Sequence, residues 1–165
     1  MTTNEWMGRY RPLIKELVKY ENYYSRISTS KRLQVDDSIF MSANEWQVLE
    51  YIIEHDDDPE YILNISDDLG IAPSSLSKQV KSLVNHGLIE RYHTSSNKKK
   101  IVVKSTDKGK QLYENNVSSI MMPLFQVLFD GLEKIPDKYL NQFVTALSDY
   151  NNSRTNNTPE TLIKI

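Results

Sequence analysis

Ser74, Ser75, Ser77, Lys78 and Lys81 fall within one stretch, Pro73 to His86, where Leu76, Val80, Leu83 and Val84 recur at i, i+4, i+7 and i+8. That spacing makes a single apolar stripe on a helix. The serines and lysines, with Ser82 and Asn85, fall away from the stripe, and no acid lies among them. Hydroxyl and amide groups hydrogen-bond to base edges and phosphates, and ammonium groups add electrostatic attraction. The same face would also serve as an ordinary solvated helix surface. The neighbouring residues decide between the two.

Upstream, Ser66-Asp67-Asp68-Leu69 reads as a short helix with Ser66 at its N-cap and acids in its first turn. Gly70 suits a left-handed residue after that helix, and Pro73 suits the first turn of the next. Downstream, Gly87 ends the second helix. Leu88–Tyr92 and Ile101–Lys104 read as strands, with His93–Lys100 as a polar hairpin tip. Asn97, Lys98, Lys99 and Lys100 crowd that tip, and Arg91 stands at its base. Adjacent lysines repel one another unless a polyanion lies beneath them. From Ile71 to Lys110 nine basic residues face two acidic ones, a balance of +7. From Asp36 to Gly70 there are eleven acids and no Lys or Arg. In a chain of net charge −2, the positive charge is concentrated on the helix and hairpin. Helix, turn, helix and lysine-tipped hairpin describe a winged helix-turn-helix directed at duplex DNA.

The string GIAPSSLSKQVKSLVNHGLIER, followed by a loop and IVVKSTDKGKQLYE, resembles the DNA-binding half of the MarR family of bacterial regulators. The likeness is strong from Ser42 to Glu114 and rests on pattern alone in the flanking helices. The family's usual form opens the reading helix with Pro-Ser, follows it with a Gly-Leu-Ile/Val-Glu-Arg strand, and begins the next helix with Leu-Thr-x-x-Gly. Thr106-Asp107-Lys108-Gly109 matches that last motif, but Ser105 stands where Leu is usual. The family's wing often carries Asp-Arg-Arg, whereas this chain has Asn97-Lys98-Lys99. Asn cannot form the ion pair that orients a wing arginine, and Lys is a point charge rather than a planar fork. The resemblance implies an obligate homodimer on pseudo-palindromic DNA. It also implies repression or activation set by a small molecule, often an aromatic acid or phenol.

Other elements must position these residues. The N-terminal region carries a capping-box pattern at Thr2–Glu5, then Trp6, Tyr10, Leu13, Ile14, Leu17, Tyr20, Tyr24 and Ile27 at helical spacing. Pro12 either kinks this helix or marks its start. Ser30–Met41 reads as a connector. Ser42–Glu45 is a second capping box, with Met41 and Trp46 as a hydrophobic staple on a helix that runs to about His55. Tyr61–Ile65 leads toward the Ser66 helix or adds a short strand to the wing sheet. Thr106 opens a long helix toward Gly131, kinked at Pro123, and a last helix spans Asp137–Asn151. The expected architecture is mainly α with a small β wing, a winged helix-turn-helix plus a helical dimerisation layer. It divides into an N-terminal dimerisation helix (1–35), the DNA-binding domain (36–106), C-terminal dimerisation helices (107–151) and a flexible tail (152–165).

Several function classes are excluded or weakened. With no cysteine the 165-residue chain has no disulfide, thiol sensor or thiolate metal site of its own. No apolar run reaches membrane length and no N-terminal signal is evident, so the expected setting is the cytoplasm without a membrane partner. Ser75-Leu76-Ser77-Lys78 fits the Ser-x-x-Lys of penicillin-binding enzymes but lacks the companion motifs, and no phosphate loop is present, so no catalytic residue or cofactor is expected. The loop from His55 through Asp56, Asp57 and Asp58 to Glu60 could bind a divalent cation through oxygens and one imidazole, but it reads better as a solvated acidic turn. Together with what the resemblance implies, the expectation is a sequence-specific, homodimeric, DNA-binding repressor modulated by a small aromatic ligand. A metal-responsive regulator and a winged helix devoted to protein contact are the alternatives.

Overall fold

The computed structural model describes residues 5–30, 32–58, 62–94 and 97–155, with backbone only at 5, 27–30, 63, 94, 97–100, 154 and 155. The capping box expected at Thr2–Glu5 lies outside the described residues. The chain divides into two compact units, 1–116 and 117–165.

In the first unit a 3-10 turn, Glu5–Tyr10, precedes helix α1, Arg11–Ser30. Pro12 therefore marks the helix start, where no intrahelical bond needs its missing N–H. The segment read as a connector contains a small hairpin. Strand β1, Arg32–Gln34, pairs antiparallel with β2, Phe40–Ser42. Its turn is closed by the Val35 N–H donating to the Ile39 carbonyl at 2.9 Å, and Val35, Ile39 and Met41 are buried. The missed signal was the apolar alternation on either side of Asp36-Asp37-Ser38.

Helix α2, Ala43–Glu54, begins with the expected capping box: the Glu45 N–H donates to Ser42 Oγ at 3.2 Å, and the Ser42 N–H donates to Glu45 Oε2 at 2.7 Å. Met41 and Trp46 are both buried, as a staple requires. Helix α3 is Ile62–Asp68. It starts earlier than the sequence reading placed it, and Tyr61–Ile65 gives no described strand. Ser66 is thus not an N-cap. It lies near the helix end, where its Oγ donates to the Ile71 carbonyl at 2.6 Å. Gly70, at φ 62°, ends the helix with the Ile71 N–H on the Ser66 carbonyl and its own N–H on that of Asp67. This is a Schellman turn, which satisfies carbonyls that a helix end would otherwise strand.

Helix α4, Pro73–Asn85, follows directly. Leu76, Val80 and Leu83 are each 0% exposed, so the predicted stripe is the buried face. Each such side chain contributes about 1.5–3 kcal/mol by leaving water. Gly87, at φ 69°, ends α4 with a second Schellman turn, Leu88 N–H to Leu83 and Gly87 N–H to Val84. The buried Leu88 then leads into β3, Ile89–Thr94, which pairs antiparallel with β4, Asn97–Ser105. The hairpin is longer than the sequence reading, because both strands continue into the polar segment with a register shift at His93/Thr94. Backbone ladders do not need apolar side chains, so polarity understated the strand length.

Helix α5, Asp107–Asn116, is held to the reading helix and wing by close contact. The Thr106 N–H donates to the Leu88 carbonyl at 3.0 Å. A Cβ on Gly109 would stand 2.1 Å from the Leu88 carbonyl oxygen, so only glycine allows this approach. Trp46 of α2 stacks on Tyr113 of α5 with ring centroids 5.1 Å apart.

The second unit holds a short π-helix, Val117–Met121, then α6, Met122–Leu132, and α7, Asp137–Thr155. The long helix expected from Thr106 is thus interrupted ahead of Pro123, which sits in the first turn of α6. Helix α7 runs to Thr155, past the predicted end at Asn151. Apart from Gln126 and Asp130, which bond to each other at 2.7 Å, α6 carries no polar side chain, and Leu124 and Val127 are 63% and 84% exposed. The expected fold class, mainly α with a small β wing, is what the structure shows.

Gly109→Ala must push α5 away from Leu88. We expect it to lower unfolding stability in urea by about 2–3 kcal/mol, as overpacking against rigid backbone does. A loss under about 0.5 kcal/mol would show that the approach is not constraining.

Candidate nucleic-acid interface

The outer face of α4 carries Ser74, Ser77, Lys78, Lys81 and Asn85, all exposed, with no acid among them. Ser75 is half-buried and receives a long contact, 3.4 Å, from Gln79 Nε2. Gln79 itself is buried, and its Oε1 has no partner among the described residues. Ala72 occupies the N-cap of α4 and supplies no side-chain bond. Pro73 has no N–H, and those of Ser75 and Leu76 donate to the Ala72 carbonyl, so what this helix start offers an anion is chiefly the positive end of its dipole. Of the residues read from sequence as facing outward, Ser82, like Ser75, does not fully do so. It is half-buried, and its hydroxyl bonds the carboxylate of Glu45.

Glu45 joins three elements. Only 5% exposed, it accepts from the Ser42 backbone and hydroxyl and from Ser82. Arg32 Nη2 reaches both of its oxygens at 2.9 and 2.8 Å, while Arg32 Nε donates to the Phe40 carbonyl. Burial alone would push this carboxyl up, but the bonds from Ser42 and Ser82 and the Arg32 charge together hold it below the usual range. The first hairpin, the scaffold helix and the reading helix are thus pinned to one another. Sequence reading found the Ser42–Glu45 cap but not Arg32 or Ser82, because nothing local announces a partner from another element.

The wing rises directly from the reading helix. Arg91 is exposed on β3 opposite Val103. Tyr92, also exposed, donates its hydroxyl to Glu90, and this bond raises the phenol above its ordinary value. Asn97, Lys98, Lys99 and Lys100 form the start of β4, and their side chains lie outside the described residues. At the base of the wing, Asp56 accepts from the Ser105 N–H and Oγ, each at 3.0 Å, and from Lys110 Nζ at 2.6 Å. Lys108 Nζ donates to the His86 carbonyl at 2.8 Å. Two lysines counted from sequence toward DNA attraction therefore also bond to groups of the chain itself.

The same geometry weakens the metal reading. His55 Nδ1 lies 2.8 Å from the Tyr51 carbonyl, with its ring stacked on Tyr51, and both oxygens of Asp56 are occupied. Among the described residues no group of three or more His, Cys, Asp or Glu is placed to hold a metal ion. Nor is any described helix long and apolar enough to cross a membrane.

A reading helix with an acid-free outer face, set behind a short helix and followed by a two-stranded wing, defines a winged helix-turn-helix protein. Residues 41–101 match the model of the MarR family. No curated protein sequence matches the chain. Solved structures share its fold. The transcriptional regulator SlyA is 19% identical, with 86% of this chain and 95% of that one covered and a TM-score of 0.64. MepR of S. aureus, in a DNA complex, is 18% identical, with coverage of 84% and 96% and a TM-score of 0.63. PcaV of Streptomyces coelicolor, in complex with its natural ligand, is 13% identical, with coverage of 90% and 98% and a TM-score of 0.62.

Glu45 has a lowered pKa when folded, so its contribution is present above the unfolded value near ~4.3 and is lost as pH falls through the folded one. We expect urea midpoints to fall below about pH 5, and Glu45→Gln to flatten that acid limb while lowering stability at pH 7. An acid limb as steep in the variant as in the wild type would remove Glu45 from this account.

Proposed function

We propose that the chain is a homodimeric, sequence-specific DNA-binding transcriptional regulator that acts as a repressor and responds to a small aromatic ligand. MarR-family members are transcriptional regulators and not enzymes. The observation that carries the reading is the outer face of α4, where serines and lysines surround an uncapped helix start and every acid is absent. Ser74, Ser75, Ser77, Lys78 and Lys81 enter the major groove. Arg91 braces the wing base or meets phosphate. Asn97, Lys98, Lys99 and Lys100 grip flanking backbone. MepR, similar in fold, was solved on DNA, which supports the same use of the fold here. The PcaV complex likewise supports an effector site.

The dimer follows from uncovered apolar surface. On α1 and the turn before it, Trp6, Tyr10 and Tyr20 are more than half exposed, as are Leu124 and Val127 on α6. Single chains rarely leave so much apolar area in water. Covering it with a second copy sets two reading helices one DNA turn, ~34 Å, apart. Bound across a promoter, such a dimer represses by occupancy, and a ligand that favours another spacing releases it.

The test is selection of bound duplexes from a randomised pool at ~0.15 M salt, where non-specific binding is weak. A pseudo-palindrome with half-sites one helical turn apart is expected. Folded, dimeric protein that enriches no sequence, with or without phenolic ligands, would count against base reading. Changing Lys98, Lys99 and Lys100 together to Ala is expected to weaken binding to all duplexes and to reduce the slope of log K against log salt by about 3 or less. An unchanged slope would remove the wing from the interface. Ser75→Ala or Lys78→Ala should instead change which half-site bases are preferred; an equal loss on every duplex would contradict base reading.

A further inference from the structure

We infer that Asp56 is a positioning residue for the wing: its carboxylate, locked to Ser105 and Lys110, sets the direction in which the hairpin meets DNA. The inference rests on the wing contact proposed above. Asp56 lies beyond the end of α2, yet Oδ1 takes both the backbone N–H and the hydroxyl of Ser105, each at 3.0 Å, and Oδ2 takes Lys110 Nζ at 2.6 Å. Ser105 is the last residue of β4 and pairs with Ile89, the first of β3. The carboxylate thus grips the hairpin at the point from which it extends, where a small rotation moves the tip furthest. Lys110 ties the same group to α5.

Two features set this contact apart from ordinary surface pairing. Asp57 and Asp58, its neighbours in the acidic run, are exposed, whereas the Asp56 side chain is only 20% exposed and both its oxygens are used. Ser105 contributes both its backbone N–H and its own hydroxyl, so the side chain at this position adds a second bond to the grip. An anionic group beside a DNA-facing element repels phosphate. Lys110 neutralises it at contact distance, so its hydrogen-bonding capacity is retained without an open negative charge.

The sign of the effect separates positioning from simple electrostatics. Asp56→Asn removes a negative charge and frees Lys110, and both changes by themselves attract DNA more strongly. Positioning gives the opposite result. The experiment measures affinity and salt slope of the full chain on a mixed-sequence duplex of about 30 base pairs, for Asp56→Asn and for the charge-neutral Ser105→Ala. Each is measured in the wild-type background and with Lys98, Lys99 and Lys100 changed to Ala; circular dichroism and urea midpoints confirm folding. We expect Asp56→Asn to weaken binding about five- to tenfold with a shallower salt slope, Ser105→Ala to weaken it less, and both effects to vanish when the wing lysines are absent. Tighter or unchanged binding overturns the inference, as does an equal loss in both backgrounds, which marks a general structural defect. An unchanged salt slope in the lysine-to-alanine protein alone overturns the wing reading itself, before Asp56 enters the comparison.

Discussion

Gly109 stands where a Cβ would collide with the Leu88 carbonyl oxygen at 2.1 Å, and much of the first unit converges on that point. Leu88 lies between the end of the reading helix and the first strand of the wing. Its carbonyl receives the Thr106 N–H, the Thr106 hydroxyl donates to Gly87 at 2.7 Å, and Lys108 reaches His86. The hydroxyl of Thr106 also accepts from the Gly109 N–H at 3.0 Å. Helix α4, the hairpin and α5 are therefore fixed at a single junction whose tolerance is set by backbone contact. Backbone is stiff, so the orientation of the reading helix relative to the wing base is narrowly defined.

Around this junction the polar groups divide into those spent on structure and those left for solvent or ligand. Glu45 and Asp56 are structural, each surrounded by donors from other elements. Lys108 and Lys110 are structural as well. Lys78 and Lys81 remain exposed on α4. The acids of the segment before α4 thus do not simply oppose the basic segment after it. Asp56 crosses to the basic side and organises it.

Much of this was legible in the sequence because the signals were local. Pro73, Gly87 and the Leu76/Val80/Leu83 stripe located α4, and Ser42 with Glu45 located the start of α2. The reading failed where an element was short or where a contact linked distant positions. Ser66 has the chemistry of an N-cap, but Ile62 and Ile65 had already begun the helix, so its hydroxyl closes the turn instead. The β1–β2 hairpin is too short for its alternation to stand out. Ser82 was assigned outward by helical spacing, yet the carboxylate of Glu45 draws it in. No spacing rule links Asp56 to Ser105 or Arg32 to Glu45, since these pairs exist only once the elements have packed.

The central claim, that two copies of α4 read one duplex while two wings flank it, is tested most directly by hydroxyl-radical footprinting of the full-length protein on its selected duplex. The account predicts two protected windows on one face of the DNA, centred ~34 Å apart, each with an outer margin that disappears when the wing lysines are replaced by alanine. A single window, or protection spread evenly along the duplex, would contradict it.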